Sequence, residues 1–190
     1  MSYLGINTVW KLADLFRQEK KLIIWNGACI MKRAIIYYSL SGNTKEAAEK
    51  IAKEIGADLF PIELVNPLPD SKAKQMLVGG MQATFGMQPK IQGVPEHICD
   101  YDEIILGTPI WAGKAASPVH TFVKQYGVAD KVTAVFTFSG GGDNDACISK
   151  LSKSLYNLKH QTALADRNNE AASANDEKLE TFITTILEEQ

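Results

Sequence analysis

Cysteine is scarce in this 190-residue chain: Cys29, Cys99 and Cys147 lie far apart, with no C-x-x-C pair and no zinc-type spacing. That pattern gives no basis for a disulfide framework or a structural zinc site, and a reducing, cytoplasmic compartment is expected. Long apolar runs are also missing. The most apolar stretch near the start, Leu22 to Met31, falls well short of the ~20 residues of a membrane-spanning helix, so no membrane partner is expected. Charge of either sign is never concentrated: the net charge is −2 and the pI about 5.9, which leaves no electrostatic footprint for nucleic acid. Three catalytic or nucleotide-binding signatures are absent. There is no G-x-S-x-G, no G-x-x-x-x-G-K-[ST] and no G-x-G-x-x-G, which argues against a serine hydrolase, a P-loop NTPase and the usual dinucleotide fold. His97 and Cys99 offer only two metal ligands, while His120 and His160 sit in helix-associated positions where surface or dipole roles suffice.

What is present is a core: 45% of residues are apolar and 22% charged, the profile of one globular domain. Residues 1–30 read differently from the rest. Asn7 or Thr8 could cap a short helix with Val9, Leu12, Ala13 and Phe16 on one face, but the following LIIWNGACI has no period. An N-terminal appendage over 1–30, or a translation start at Met31, is expected, with the domain spanning 31–190. Setting aside Lys11, Arg17, Lys20, Lys21, Asp14 and Glu19 leaves 16 basic and 20 acidic residues, so the domain is mildly acidic at −4.

From Met31 onward, short apolar runs alternate with amphipathic helical patterns. Ala34 to Tyr38 is a strand buried on both faces. Thr44 to Ile55 places Ala47, Ala48, Ile51 and Ile55 on one face and stops at Gly56. Further strands are expected at Asp58–Leu64, Glu103–Leu106, Val132–Phe138 and Thr162–Ala165. A helix capped by Ser117, with Pro118 at its first position, follows the third of these five strands. Another starts near Asp143 with Ile148, Leu151, Leu155 and Leu158 inward, and a last one carries Leu179, Phe182, Ile183, Ile186 and Leu187. Strands alternating with helices predict an open α/β sheet of parallel strands, wound right-handed with helices on both faces. In such sheets a ligand binds beyond the carboxyl ends of the strands, so the loops leaving strands one, three and four hold the information.

The first loop is Ser39-Leu40-Ser41-Gly42-Asn43-Thr44. It supplies hydroxyls and a glycine where a helix N-terminus leaves backbone N–H groups unpaired, a setting that favours an anion. No Lys or Arg falls within it, so a terminal phosphomonoester suits it better than a triphosphate with magnesium; a simple polar turn is the alternative. The second, GTPIWAGK from Gly107 to Lys114, presents Trp111, which could stack on an aromatic ligand or cover the edge of the core. In the third, TFSGGGDND from Thr137 to Asp145, three glycines let the backbone approach whatever fills the crevice. Together the loops describe a flat ring system ending in a phosphate.

SLSGNT after the first strand and YDEIILGTPIWAG after it in the chain resemble the phosphate loop and the second flavin loop of the flavodoxin-like family, over roughly Met31 to Glu188. The resemblance implies a flavodoxin-like three-layer sandwich with a five-stranded parallel sheet in the order 2-1-3-4-5, binding FMN non-covalently. It would put Ser39, Ser41, Gly42, Asn43 and Thr44 on the phosphate, Thr108, Pro109, Ile110, Trp111, Ala112 and Gly113 beside the isoalloxazine, and Ser139, Gly140, Gly141 and Gly142 on the ring's other edge. GGMQATFGMQPK, in the segment Ser71 to Lys90, resembles a variable stretch of bacterial relatives, and its Met76, Met81 and Met87 are expected to be ordinary packing. The function expected is that of a flavodoxin-type electron carrier working through redox partner proteins, with an NAD(P)H-dependent FMN oxidoreductase reducing quinones, nitro compounds or flavins as the alternative, in either case as monomer or homodimer. Catalytic side chains and metal ligands are not expected.

Overall fold

The computed structural model describes residues 31–188. The readings made for residues 1–30 lie outside the described residues. β1 (Arg33–Tyr37), β2 (Asp58–Pro61), β5 (Glu103–Trp111), β7 (Val132–Ser139) and β8 (His160–Ala165) form one parallel sheet in the order β2-β1-β5-β7-β8. Counting these five strands along the chain reproduces the predicted order 2-1-3-4-5. Alternate residues of each strand serve opposite faces. Ile36, Leu106 and Val135 meet Val119 and Phe122 of α3 (Ser117–Tyr126), with Leu155 beyond α4 (Asp145–Ser152). Ile35, Ile105 and Phe136 meet Ile51 of α1 (Asn43–Ile55) and Phe182 of α5 (Asn175–Glu188). Two apolar layers on one sheet make the three-layer α/β sandwich.

Several boundaries differ from expectation, each for a local reason. The second strand is shorter than Asp58–Leu64: it leaves the sheet after Pro61, and β3 (Glu63–Leu64) pairs antiparallel with β4 (Ile91–Gln92) instead. The third strand runs on to Trp111, so most of the expected second loop is strand. Pro109 is tolerated there because β1 ends at Tyr37 and asks for no N–H from it. Ser117 is the first helical residue of α3 and Ala116 occupies the cap position, without a side-chain bond. α4 ends at Ser152, before Leu155 and Leu158, and Leu187 of α5 is exposed rather than inward.

The segment between β3 and β4 forms a helix, α2 (Lys72–Phe85), and the packing expected of its methionines is not found. Met76 is 80% exposed, Met81 50% and Met87 52%. The reason lies on the opposite face: Gly79 and Ala83 are the residues that approach the protein, and a Cβ on Gly79 would stand 2.9 Å from the indole of Trp111. Only small side chains let α2 lie on that ring, so its large ones face outward.

Candidate functional site

The carboxyl ends of β1, β5 and β7 bring the three predicted loops to one edge of the sheet. β1 ends in Tyr37, the chain turns at Ser39–Gly42, and α1 begins. Gly42 occupies the cap position at φ +95°, a left-handed conformation that glycine adopts without strain, and no side chain caps the helix. The Ser39 hydroxyl oxygen accepts from the Gly42 N–H at 3.2 Å. The third loop repeats this device: the Ser139 oxygen accepts from the Gly142 N–H at 3.0 Å, with Gly142 at φ +73°. Two Ser-x-x-Gly turns therefore follow two strands of the same sheet.

Asn43 and Thr44 are buried at the start of α1, Ser41 is exposed and Ser39 is half-buried. The Asn43 amide turns to a fourth loop, the one after β8: its Nδ2 donates to Asp166 at 2.8 Å and its Oδ1 accepts from Arg167 Nε at 2.9 Å. Arg167 also reaches Glu46 at 2.5 Å. Neither Asp166 nor Arg167 was singled out by sequence reasoning; their only signal was their place just past the fifth strand. The guanidinium thus lies beside the Ser39–Thr44 loop without belonging to it, answered by Glu46.

At the second loop, β5 reverses at Ala112 (φ +48°) and Gly113 (φ +71°) into β6 (Lys114–Ala115), with Trp111 opposite Lys114. Two central residues at positive φ define the tight hairpin turn that suits twisted strands. Thr108 is fully buried and braces the hairpin, its hydroxyl oxygen accepting from the Ala116 N–H at 3.1 Å. Trp111 is half-buried, edge-on to Tyr38 with centroids 5.5 Å apart, and covered by Gly79 on its benzo ring. The indole does cover the edge of the core. Burial pushes the Tyr38 phenol up to about 12.

Behind the third loop, Asn144 donates through Nδ2 to Thr137 at 2.9 Å, and Thr137 in turn donates to the Thr162 carbonyl. The Asn144 Oδ1 is buried with no hydrogen-bond partner among the described residues. Gly42, Gly113, Gly140 and Gly141 each have nothing within 4 Å of where a Cβ would stand, so all three loops border open space. Among the described residues no group of three or more His, Cys, Asp or Glu could hold a metal ion.

A parallel sheet in this order, with its conspicuous loops at the carboxyl edge, defines a doubly wound ligand-binding domain. Residues 32–183 match the family model described as Flavodoxin, and the chain belongs to that family. It is 28% identical to a flavoprotein from Lactobacillus acidophilus NCFM solved in complex with FMN, covering 78% of this chain and 98% of that one at a TM-score of 0.57. A flavoprotein from Bacteroides eggerthii DSM 20697 is likewise 28% identical, over 80% and 97% of the two chains, at a TM-score of 0.61. Among curated relatives, the NAD(P)H dehydrogenase (quinone) 3 of Rhizobium meliloti (strain 1021) is 30% identical over 131 residues, 62% of this chain. The matched region spans 59% of that relative's length.

Proposed function

We propose that this chain binds FMN non-covalently at the carboxyl edge of its sheet and works as a redox protein. The observation that carries the reading is the start of α1: an uncapped helix N-terminus behind a hydroxyl-rich turn that contains no Lys or Arg and opens onto free space at Gly42. Those features suit a phosphomonoester. Ser39, Ser41, Gly42, Asn43 and Thr44 would hold the phosphate. Thr108, Pro109, Ile110, Trp111, Ala112 and Gly113 would border the ring on one side, and Ser139, Gly140, Gly141 and Gly142 on the other. Bound FMN would supply the electron-accepting ring system.

The chain's own work is placement. Thr108 and the Ala112–Gly113 turn set where the indole stands, α2 excludes water from one of its faces, and the Asn43–Asp166 and Asn43–Arg167 bonds fix the phosphate loop to the loop after β8. Reconstitution tests the reading. The chain mixed with excess FMN and then desalted should be yellow and melt at a higher temperature; colourless protein with an unmoved melting point overturns it.

Two redox roles share this site, and the reductase is favoured by two observations: the curated relative is a quinone dehydrogenase that uses NAD(P)H, and a net charge of −4 for the domain is modest for a carrier that docks through acidic surface. The role proposed is therefore an NAD(P)H-dependent oxidoreductase, with the carrier role through redox partner proteins as its rival and the cytoplasm as its place. Anaerobic mixing with NADPH and NADH separates them. Rapid bleaching identifies the reductase, and bleaching only when a partner reductase is added identifies the carrier.

A further inference from the structure

On the α3/α4 face a groove runs down from the back of the β5–β6 hairpin. It consists of two adjoining cavities of about 270 and about 320 Å³ that share His120, Leu151 and Ser154. Its floor is apolar, with Val119, Leu155 and Cys147 all buried. Its walls carry Lys114, His120, Lys124 and Lys150, and among the described residues no Asp or Glu lines either cavity, in a domain whose net charge is −4. None of the ion pairs among the described residues uses Lys114, Lys124 or Lys150. Lys114 Nζ is held at the groove's upper end by the Thr84 carbonyl at 3.0 Å, which leaves its charge uncompensated. Lys150 lines the same cavity as the buried Cys147 thiol, whose upward shift through burial its charge opposes.

We propose that this groove binds the adenosine-phosphate half of the dinucleotide reductant, with NADPH preferred over NADH. The inference rests on the reductase reading above. A ligand for these walls must bring both a flat apolar body and more than one anionic group. A neutral quinone would use the floor and leave every cation unanswered, whereas inorganic phosphate would leave the floor bare. An adenine ring covers apolar surface, the pyrophosphate answers Lys114 and Lys150 near the hairpin, and the 2′-phosphate answers Lys124 lower down. The groove's upper end lies at Lys114, the strand partner of Trp111, so a dinucleotide seated here has its other half directed to the hairpin that borders the proposed ring site.

Calorimetric titration of the full chain with 2′,5′-ADP, with and without FMN, tests the groove by a probe that carries no reducible ring. Binding should be tighter than that of 5′-AMP, should weaken with salt, and should fall on the order of tenfold in Lys150→Gln and in Lys124→Gln. Lys53→Gln, an exposed change in the last turn of α1, should leave it unaltered. Absence of binding by the unmodified chain, or binding indifferent to both groove lysines, overturns the proposal. In turnover, Lys150→Gln should raise the KM for NADPH about tenfold with kcat and FMN affinity unchanged. A chain that takes up FMN but never oxidises NADPH sinks the reductase reading alone, because the 2′,5′-ADP titration still decides the groove.

Discussion

The two ends of the sheet are closed by opposite chemistry. At the amino ends of the strands polar groups of the described residues pair with one another. Arg33 Nε meets Glu103 at 2.5 Å with both side chains buried, Thr133 donates to the other Glu103 oxygen, the Lys32 N–H donates to Asp102 at 2.8 Å, and Lys131 Nζ donates to the Tyr101 carbonyl at 2.9 Å. At the carboxyl ends α1, α3 and α4 all start without a side-chain cap, Asn144 Oδ1 is buried without a partner, and Ala112 is a non-glycine residue at φ +48°. One end is finished by the chain itself, while the other keeps donors and strain in hand for a ligand.

Breaking the amino end should therefore cost stability and leave the site alone. Arg33→Ala strands a buried Glu103 carboxylate and should lower unfolding free energy by about 3–5 kcal/mol, read by urea titration, with the FMN dissociation constant of the folded protein unchanged. A loss of FMN affinity beyond twofold would show that the ends are coupled.

Alkaline titration probes both ends together. Burial raises the Tyr38 phenol to about 12 at the carboxyl end, and burial together with the Asp58 hydrogen bond raises Tyr101 to about 12 at the other. A folded pKa above the unfolded value of about 10 means that the folded state holds its proton longer. The stabilisation is complete below pH about 10 and drains away as pH rises toward 12, by about 2 kcal/mol for Tyr38. Tyr38→Phe should flatten that part of the stability profile; an unchanged slope would refute the assignment.

Finer changes address α2 and the two serine turns. Gly79→Ala sets a methyl 2.9 Å from the indole and should cost about 1–2 kcal/mol, shift Trp111 fluorescence and weaken FMN, whereas Phe85→Ser on the exposed face should stay within about 0.5 kcal/mol. Unaltered fluorescence in Gly79→Ala would mean that α2 does not position the ring. Ser39→Ala and Ser139→Ala each remove one acceptor from a glycine N–H and should cost about 1 kcal/mol alike. Only the first should weaken FMN strongly, since only that turn is proposed to hold the phosphate; equal losses of affinity would contradict the assignment of the loops.

Local pattern and short-range chemistry made much of this molecule legible. Continuous apolar runs marked buried parallel strands, Gly56 marked a helix end, and the strand-turn-helix setting of Ser39 to Thr44 marked a candidate anion site, because each depends on residues a few positions apart. Other features depend on neighbours that spacing cannot show. The third strand outran its expected end because β7 continues to pair with it as far as Phe138, and the methionines of α2 face outward because Trp111 leaves room only for Gly79.

What the sequence by itself determined is the alternation of strand and helix and the position of the three loops, since apolar periodicity and turn residues act locally; the order of the sheet followed only from the resemblance to the flavodoxin-like family. Only the tertiary structure decided that Arg167 lies beside Asn43 across 124 positions, that Trp111 is roofed by a helix, and that four basic residues share one groove that no carboxylate of the described residues lines. Those contacts exist because packing brings distant segments together, and charge and shape acquire their meaning only from what then stands next to them.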